Sequence, residues 1–466
     1  MRQNPLDRFD DALHALADAK PKCWQRRVLL VVMALLVFAF LLTRSFPRLE
    51  AGNVFQLALT AALFALVGLT MMVPAYRRIA RSGGSLALYL LASAACGALL
   101  LMRMAMIEKT TGDYDNFLMH WYAQMQPLSF AEAMRADIGN YTMPYRYFIW
   151  LITRVPLPDV YMFKFVTLIF EAALAREVMR LSEISRGEKS LGCSLTIYFV
   201  TLALPTVVFN GAFWGQCDAI YTLFALYGLR AALEGKPYRS AAGFGLSLAF
   251  KLQAVFLFPI LPVLWAMRKL RVKHALTVLG AWAAAMLPAL LCGRPFMSTI
   301  SVYFTQMEDS MELVRNAPSI FQLFESSEMN PWMFSNWGIA MGMGAAIVLC
   351  LLLWRCRDRL TPGLLLDGAF LMALCVPFLL PHMHERYFFM ADMLAMVYFA
   401  GRFRRVYAPT LVILSSFNSY LFFLQYLHTF VPQVIGALAM LLVLVLVGAG
   451  MMRDLQGTKA GEAAKP

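Results

Sequence analysis

Charge is scarce in this chain: only 15% of its 466 residues are Asp, Glu, Lys or Arg, while 60% are hydrophobic. A water-soluble domain of that size needs far more polar surface, so a soluble fold is excluded and a polytopic membrane protein is expected. A mean hydropathy of +0.62 agrees. Cysteine pairing is also missing. Cys23, Cys96, Cys193, Cys217, Cys292, Cys350, Cys356 and Cys375 are scattered without a CxxC, and several lie within apolar runs. That argues against a disulfide framework or a cysteine metal site. No small-residue cleavage site follows the first apolar run, so no cleaved signal peptide is expected. No internal repeat is visible, and the only biased tract is the short polar tail "GTKAGEAAKP".

What is abundant is apolar sequence in windows near the length of a bilayer-crossing helix. Spans are expected at 27–43, 55–74, 85–106, 160–178, 191–208, 216–233, 240–250 with 252–267, 274–292, 337–354, 363–380, 389–400, 408–425 and 434–451. Backbone groups in lipid must be satisfied within the chain, which makes an all-α polytopic transmembrane bundle of about 12–14 spans the predicted fold. The 41 Lys and Arg against 28 Asp and Glu need no nucleic-acid partner. They gather in alternate loops, around Arg77, Arg78 and Arg81, Arg176 to Lys189, Arg268 to Lys273, Arg355 to Arg359, and Arg402 to Arg405. This is the positive-inside bias, and it predicts a multi-pass protein of the inner (plasma) membrane with both termini cytoplasmic. Residues 1–26 then form a cytoplasmic segment, 27–452 a single transmembrane catalytic domain, and 453–466 a cytoplasmic tail. Loops 107–159 and 293–336 fall outside. The 240–267 run must break at Lys251, because one straight helix would reverse the charge bias of every later loop. The apolar piece at 145–155 is too short to span and reads as amphipathic or re-entrant.

Against that topology, polar groups collect on the outer face. "GDYDNFLMHWY" brings Asp113 and Asp115 just after the third span, among Tyr114, Phe117, Trp121 and Tyr122. "NGAFWGQCD" puts Trp214, Gln216 and Asp218 at the mouth of a span, and Lys251 marks the outer turn of the broken pair. "RNAPS" lies in the second large outer loop, and "PHMHERYF" supplies His382, His384, Glu385 and Arg386. Ionisable groups at membrane depth are costly unless they pair or line a cavity, so their gathering marks a site. A carboxylate at such an interface suits a general base. Trp214, Gln216, Asp218, Glu385 and His382 suit sugar hydroxyls and C–H faces, as few polar anchors in an apolar lining usually do. Arg386, with His384 and Lys251, suits a phosphate. HMHER is not HExxH, so no zinc helix is expected. No dedicated metal cage is visible, although Asp113 with Asp115 could hold a divalent ion.

Base, hydroxyl-binding groups and phosphate clamp together are the parts for moving a sugar from a polyprenyl phosphate to an alcohol. The inverting form needs one such base and no nucleophilic carboxylate. The rival is a transporter or flippase of a lipid-linked sugar. Matched broken helices around a midplane site, which that rival requires, are not seen.

The stretches "GDYDNF", "FNGAFWGQCDAIYTLFAL", "LAFKLQAVFLFP" and "MHERYFF" resemble the GT-C superfamily of integral-membrane glycosyltransferases. Within it, the chain is similar to bacterial mannosyltransferase-like proteins related to the second GPI mannosyltransferase, PIG-V. The resemblance covers roughly residues 85–400 and implies a catalytic Asp in the first outer loop, matched by Asp113 or Asp115. Asp113, directly after Gly112, is the preferred base, with Asp115 as orienting or sugar-binding partner. The resemblance also implies a polyprenyl-phosphate-sugar donor, mannose as its sugar, and a cavity open to lipid. The acceptor would be a lipid, a growing glycan or a protein hydroxyl. The sequence departs from the simplest family pattern by two extra spans ahead of the acidic loop.

Overall fold

A computed structural model describes residues 46–50, 53–308, 312–324, 331–424 and 429–463, with a few isolated positions nearer the N-terminus. The expected span at 27–43 lies almost wholly outside the described residues, as does most of segment 1–26. Helices make up 79% of the chain and strand is almost absent. The fold is therefore an all-α polytopic bundle.

The bundle opens with α1 (Val54–Arg81), whose first turn is capped by the Asn53 side chain accepting from the Gln56 amide. It ends on Arg78 and Arg81, and a turn through Gly83 returns the chain as α2 (Leu86–Ala105). The long connection that follows α2 holds α3 (Met119–Met125), α4 (Phe130–Arg135) and α5 (Met143–Ile152). Ser129 and Glu132 cap α4 reciprocally. α5, with Pro144 in its first turn, reaches only about 15 Å at 1.5 Å per residue, so it lies beneath the loop as the expected non-spanning piece.

α6 (Asp159–Arg186) leads into α7 (Leu191–Ala203). There Pro205 breaks the run, and the chain bends by 48° into the segment Pro205–Phe213. α8 (Asp218–Leu233) and α9 (Pro237–Phe250) form a tight hairpin. Gly243 sits so close to Gly228 that an added Cβ would meet the Gly228 Cα at 2.9 Å. The break expected at Lys251 is present: its backbone is extended, and a 3-10 turn, Leu252–Leu257, precedes α10 (Ile260–Ala266). The remaining helices are α11 (Lys273–Leu291), α12 (Phe296–Glu308), α13 (Pro331–Arg355), α14 (Pro362–Leu379), α15 (Phe389–Gly401), α16 (Tyr407–Leu424) and α17 (Gln433–Ala463). α17 runs through most of the stretch expected to be a tail.

Among the described residues seven helices are long and apolar enough to cross a membrane, or eight if the bent pair counts as one span. Among the described residues the other expected spans exist as helices, but they are shorter or carry more charge. Neighbouring helices cover them in place of lipid, so they need not be apolar on every side. α14 shows the inner layer, with 83% of its apolar window buried; α11 and α13 show the outer, at 17% each. Two charges inside helices are satisfied within the protein. Arg103 on α2 contacts Glu171 on α6 at 2.7 Å, both fully buried, and Lys164 donates to the carbonyls of Met106, Ile107 and Lys109.

Candidate active site

A cavity of about 370 Å³ opens among the long interhelical loops, and Asp113 lines it. Three N–H donors converge on one carboxylate oxygen, Oδ2: Trp214 Nε1 at 3.0 Å, Gln216 Nε2 at 2.8 Å and Arg386 Nη1 at 3.0 Å. Oδ1 accepts no hydrogen bond among the described residues, which leaves it for a ligand. The donors are delivered by irregular backbone. A π-helical turn, Phe209–Phe213, follows the Pro205 break, and Gly215 at φ +77° then redirects the chain between Trp214 and Gln216. A side chain at that left-handed position would be strained. Gln216 is fixed in turn by Tyr141, whose hydroxyl donates to Oε1 at 3.1 Å, and by Thr167, which donates to its backbone carbonyl.

Behind Asp113 lies a second layer of charge. Lys251 Nζ contacts Asp218 Oδ1 at 2.5 Å, and Asn210 donates to Asp218 Oδ2 at 2.9 Å. Arg386 ties the layers together, lying 3.0 Å from Asp113, 3.5 Å from Glu385 and 3.9 Å from Asp218. Glu385 is 1% exposed and its Oε2 has no hydrogen-bond partner. Burial pushes its carboxyl up to about 7, against the pull of Arg386.

The roof is made by two loops far apart in sequence. Val314 and Arg315 pair in parallel with Met383 and His384. His382, at φ +61°, is locked there: its amide donates to the Leu313 carbonyl, Nδ1 contacts the Glu312 carbonyl and Nε2 contacts Ser335. His384 Nε2 lies 3.5 Å from Arg315. Burial, and then the cations Arg386, Arg315 and Lys251, hold its imidazole well below its ordinary pKa, in the neutral form. With both ring nitrogens of His382 occupied by protein, the two histidines do not form a ligand pair. Among the described residues no group of three or more His, Cys, Asp or Glu is placed to hold a metal ion.

Asp113, Gln216, Lys251, His382, His384, Glu385 and Arg386 therefore all line one cavity. Three expected site residues are placed differently. Asp115 is exposed and outside the lining, since two residues along a helical turn it projects away from Asp113. Trp214 is 1% exposed. Phe423 stacks on it at 4.8 Å, and the Arg386 guanidinium lies over its ring at 5.3 Å. It is a donor to Asp113 with no face left for a sugar. Asp218, fully buried, is the counter-ion of Lys251 and lies behind the cavity wall. The apolar wall is made instead by Phe117, Trp121, Tyr141, Tyr387 and Phe423.

Tyr141, Asn210 and Gln253 were not picked out from the sequence. Asn210 and Gln253 stand within motifs already singled out, "NGAFWGQCD" and "LAFKLQAVFLFP", and Tyr141 begins the amphipathic α5 region. A polar residue beside a glycine or a charged helix break was the available signal.

No curated protein matches the chain. The family model described as Glycosyltransferase family 87 matches residues 141–381. That range holds Gln216, Asp218 and Lys251, while Asp113 and His382 to Arg386 flank it. It spans more than half of the sequence, and the chain belongs to glycosyltransferase family 87.

Proposed function

We propose that the cavity transfers a hexose from a polyprenyl-phosphate-linked donor to a hydroxyl acceptor on the extracytoplasmic face, with inversion and with Asp113 as general base. The family membership supplies the sugar donor and acceptor in general terms. The narrower resemblance makes mannose the first sugar to test. The basic ends of α1, α6 and α8 lie opposite the cavity, which supports its extracytoplasmic placement.

One observation carries the reading: a buried-edge carboxylate with one oxygen fixed by three N–H groups and the other facing an aromatic-walled cavity. In the reaction the acceptor O–H gives its proton to Asp113 Oδ1 as its oxygen attacks the anomeric carbon. The bond from that carbon to the phosphate oxygen breaks, and its electron pair leaves with the phosphate. Growing negative charge there is met by Arg386 at the centre of the cavity and Arg315 in its roof. Lys251 serves mainly to balance Asp218, an arrangement that holds the wall in place. Glu385, whose carboxyl burial raises to about 7, can in its protonated form donate to a sugar oxygen.

The test is transfer from labelled short-chain polyprenyl-phosphate-mannose by the purified protein, with envelope acceptors, beside Asp113→Asn. Loss of a positioned base costs roughly 10²–10⁴-fold, so turnover in the variant should fall by that factor. Equal turnover in the two proteins would remove Asp113 from the chemistry. Failure to transfer mannose or any other polyprenyl-linked sugar would favour the transporter.

A further inference from the structure

A second, smaller cavity of about 300 Å³ lies at the opposite ends of the same helices. α8 starts with Asp218 behind the active-site wall and ends near this cavity, a run of about 24 Å at 1.5 Å per residue. Six cationic side chains line it: Arg81 at the end of α1, Arg176 and Arg180 on α6, Arg230 on α8, and Lys236 and Arg239 at the turn into α9. The single carboxylate in the lining, Glu234, is shared by Arg230 at 2.6 Å, Lys236 at 2.6 Å and Arg180 at 3.5 Å. Burial pushes the Glu234 carboxyl up, but Lys236 and Arg230 outweigh it and bring it down to about 2. Arg176 contacts Glu177, which also holds Arg230, and Arg180 contacts Glu183 at 3.3 Å, so among the described residues the six cations meet three acids in all. Arg81 and Arg239 are exposed, and no acid pairs with either among the described residues.

A solvated basic loop, as the positive-inside bias requires, spreads its charges into water. Here cations from four separate helices converge on one recess with too few carboxylates to balance them. Like charges held that close are costly without an anion between them. The recess sits at helix ends, where the positive-inside bias places lipid headgroups, and Tyr227 adds an amphipathic edge. We propose that this recess binds a phosphate group, presented by an anionic phospholipid headgroup or as free phosphate, through Arg81 and Arg239 with Arg176 and Arg180 beneath them.

The experiment measures binding of phosphatidylglycerol and of phosphatidylcholine to the full-length protein in detergent by native mass spectrometry. Wild type is compared with an Arg81→Gln, Arg239→Gln double variant and with an Arg357→Gln, Arg404→Gln control on other basic loops. An arginine beside an anionic headgroup is worth about fivefold in affinity, so the first variant should bind phosphatidylglycerol roughly tenfold to thirtyfold more weakly. The control should match wild type, and phosphatidylcholine should bind weakly to all three. Inorganic phosphate is then added in competition. Lipid that stays bound assigns the recess to the headgroup, and full displacement at millimolar concentration assigns it to free phosphate. Equal losses in the two variants, or undiminished lipid binding in the first, would overturn the proposal and leave a diffuse basic surface. Neither variant touches the active-site cavity, so sugar transfer serves as a check on folding.

Discussion

Asp113 is the residue on which the proposed reaction most depends, and the sequence marked it as a candidate because its acid pair follows an apolar run among aromatics. Its preference over Asp115 rested in sequence on its place after Gly112 alone. Two residues apart on a helical turn, the acids project to opposite sides, so only one of them lines the cavity. Asp115→Asn should therefore retain transfer within a few-fold where Asp113→Asn loses it, as parallel assays will show. Trp214 was misjudged for a related reason: an indole beside polar residues looks like a sugar platform until Phe423, more than two hundred residues on, is seen to cover it. Glu385 gives a prediction in pH. The folded protein holds its proton up to about 7, whereas an unfolded glutamate releases it near ~4.3. Between those values the native state binds more protons, so the stability Glu385 confers is present in acid and is lost as pH rises through 7. Glu385→Gln cannot ionise. Relative to that variant, wild type should lose roughly 3 °C in melting temperature between pH 5 and pH 7.5, measured by thermal unfolding in detergent.

At the scale of elements, hydropathy and charge bias located the helices well because lipid and the positive-inside rule act directly on composition. The break at Lys251 followed from charge alone, and the structure supplies its reason: the ammonium must reach Asp218. The bend at Pro205 and the turn at Gly215 were beyond reach, since a single proline or glycine in an apolar run does not say how far the chain turns. The α8–α9 hairpin depends on contact between two glycines. Gly243→Leu should overpack it at a cost of about 1–3 kcal/mol or more, seen as a lower melting temperature. Lys164 connects an element to the chemistry. By holding the carbonyls of Met106, Ile107 and Lys109 it caps α2 and fixes the strand of loop that carries Asp113. Lys164→Met should lower kcat while leaving donor affinity nearly unchanged, which steady-state kinetics over a donor series would separate.

Across the whole molecule the polar cavity and the basic helix ends occupy opposite faces, which permits a direct test of orientation. A cysteine replacing exposed Asp115 should react with an impermeant thiol reagent in intact cells, while one replacing Asp358 should react only after permeabilisation. The reverse pattern would invert the topology. Long-range assembly was the least legible feature, because apolar helices do not name their neighbours. Asp113 and Arg386 are 273 residues apart, and the parallel pairing of Val314 and Arg315 with Met383 and His384 joins loops that follow different helices. That separation governs biosynthesis as well as chemistry. As the chain emerges and inserts from its N-terminus, the carboxylate waits through most of translation for its guanidinium, with Trp214 and Gln216 as its earlier donors among the described residues. A ribosome-stalled or truncated product ending before the HER triplet would carry an unfinished pocket in the bilayer, a ready signal for membrane quality control.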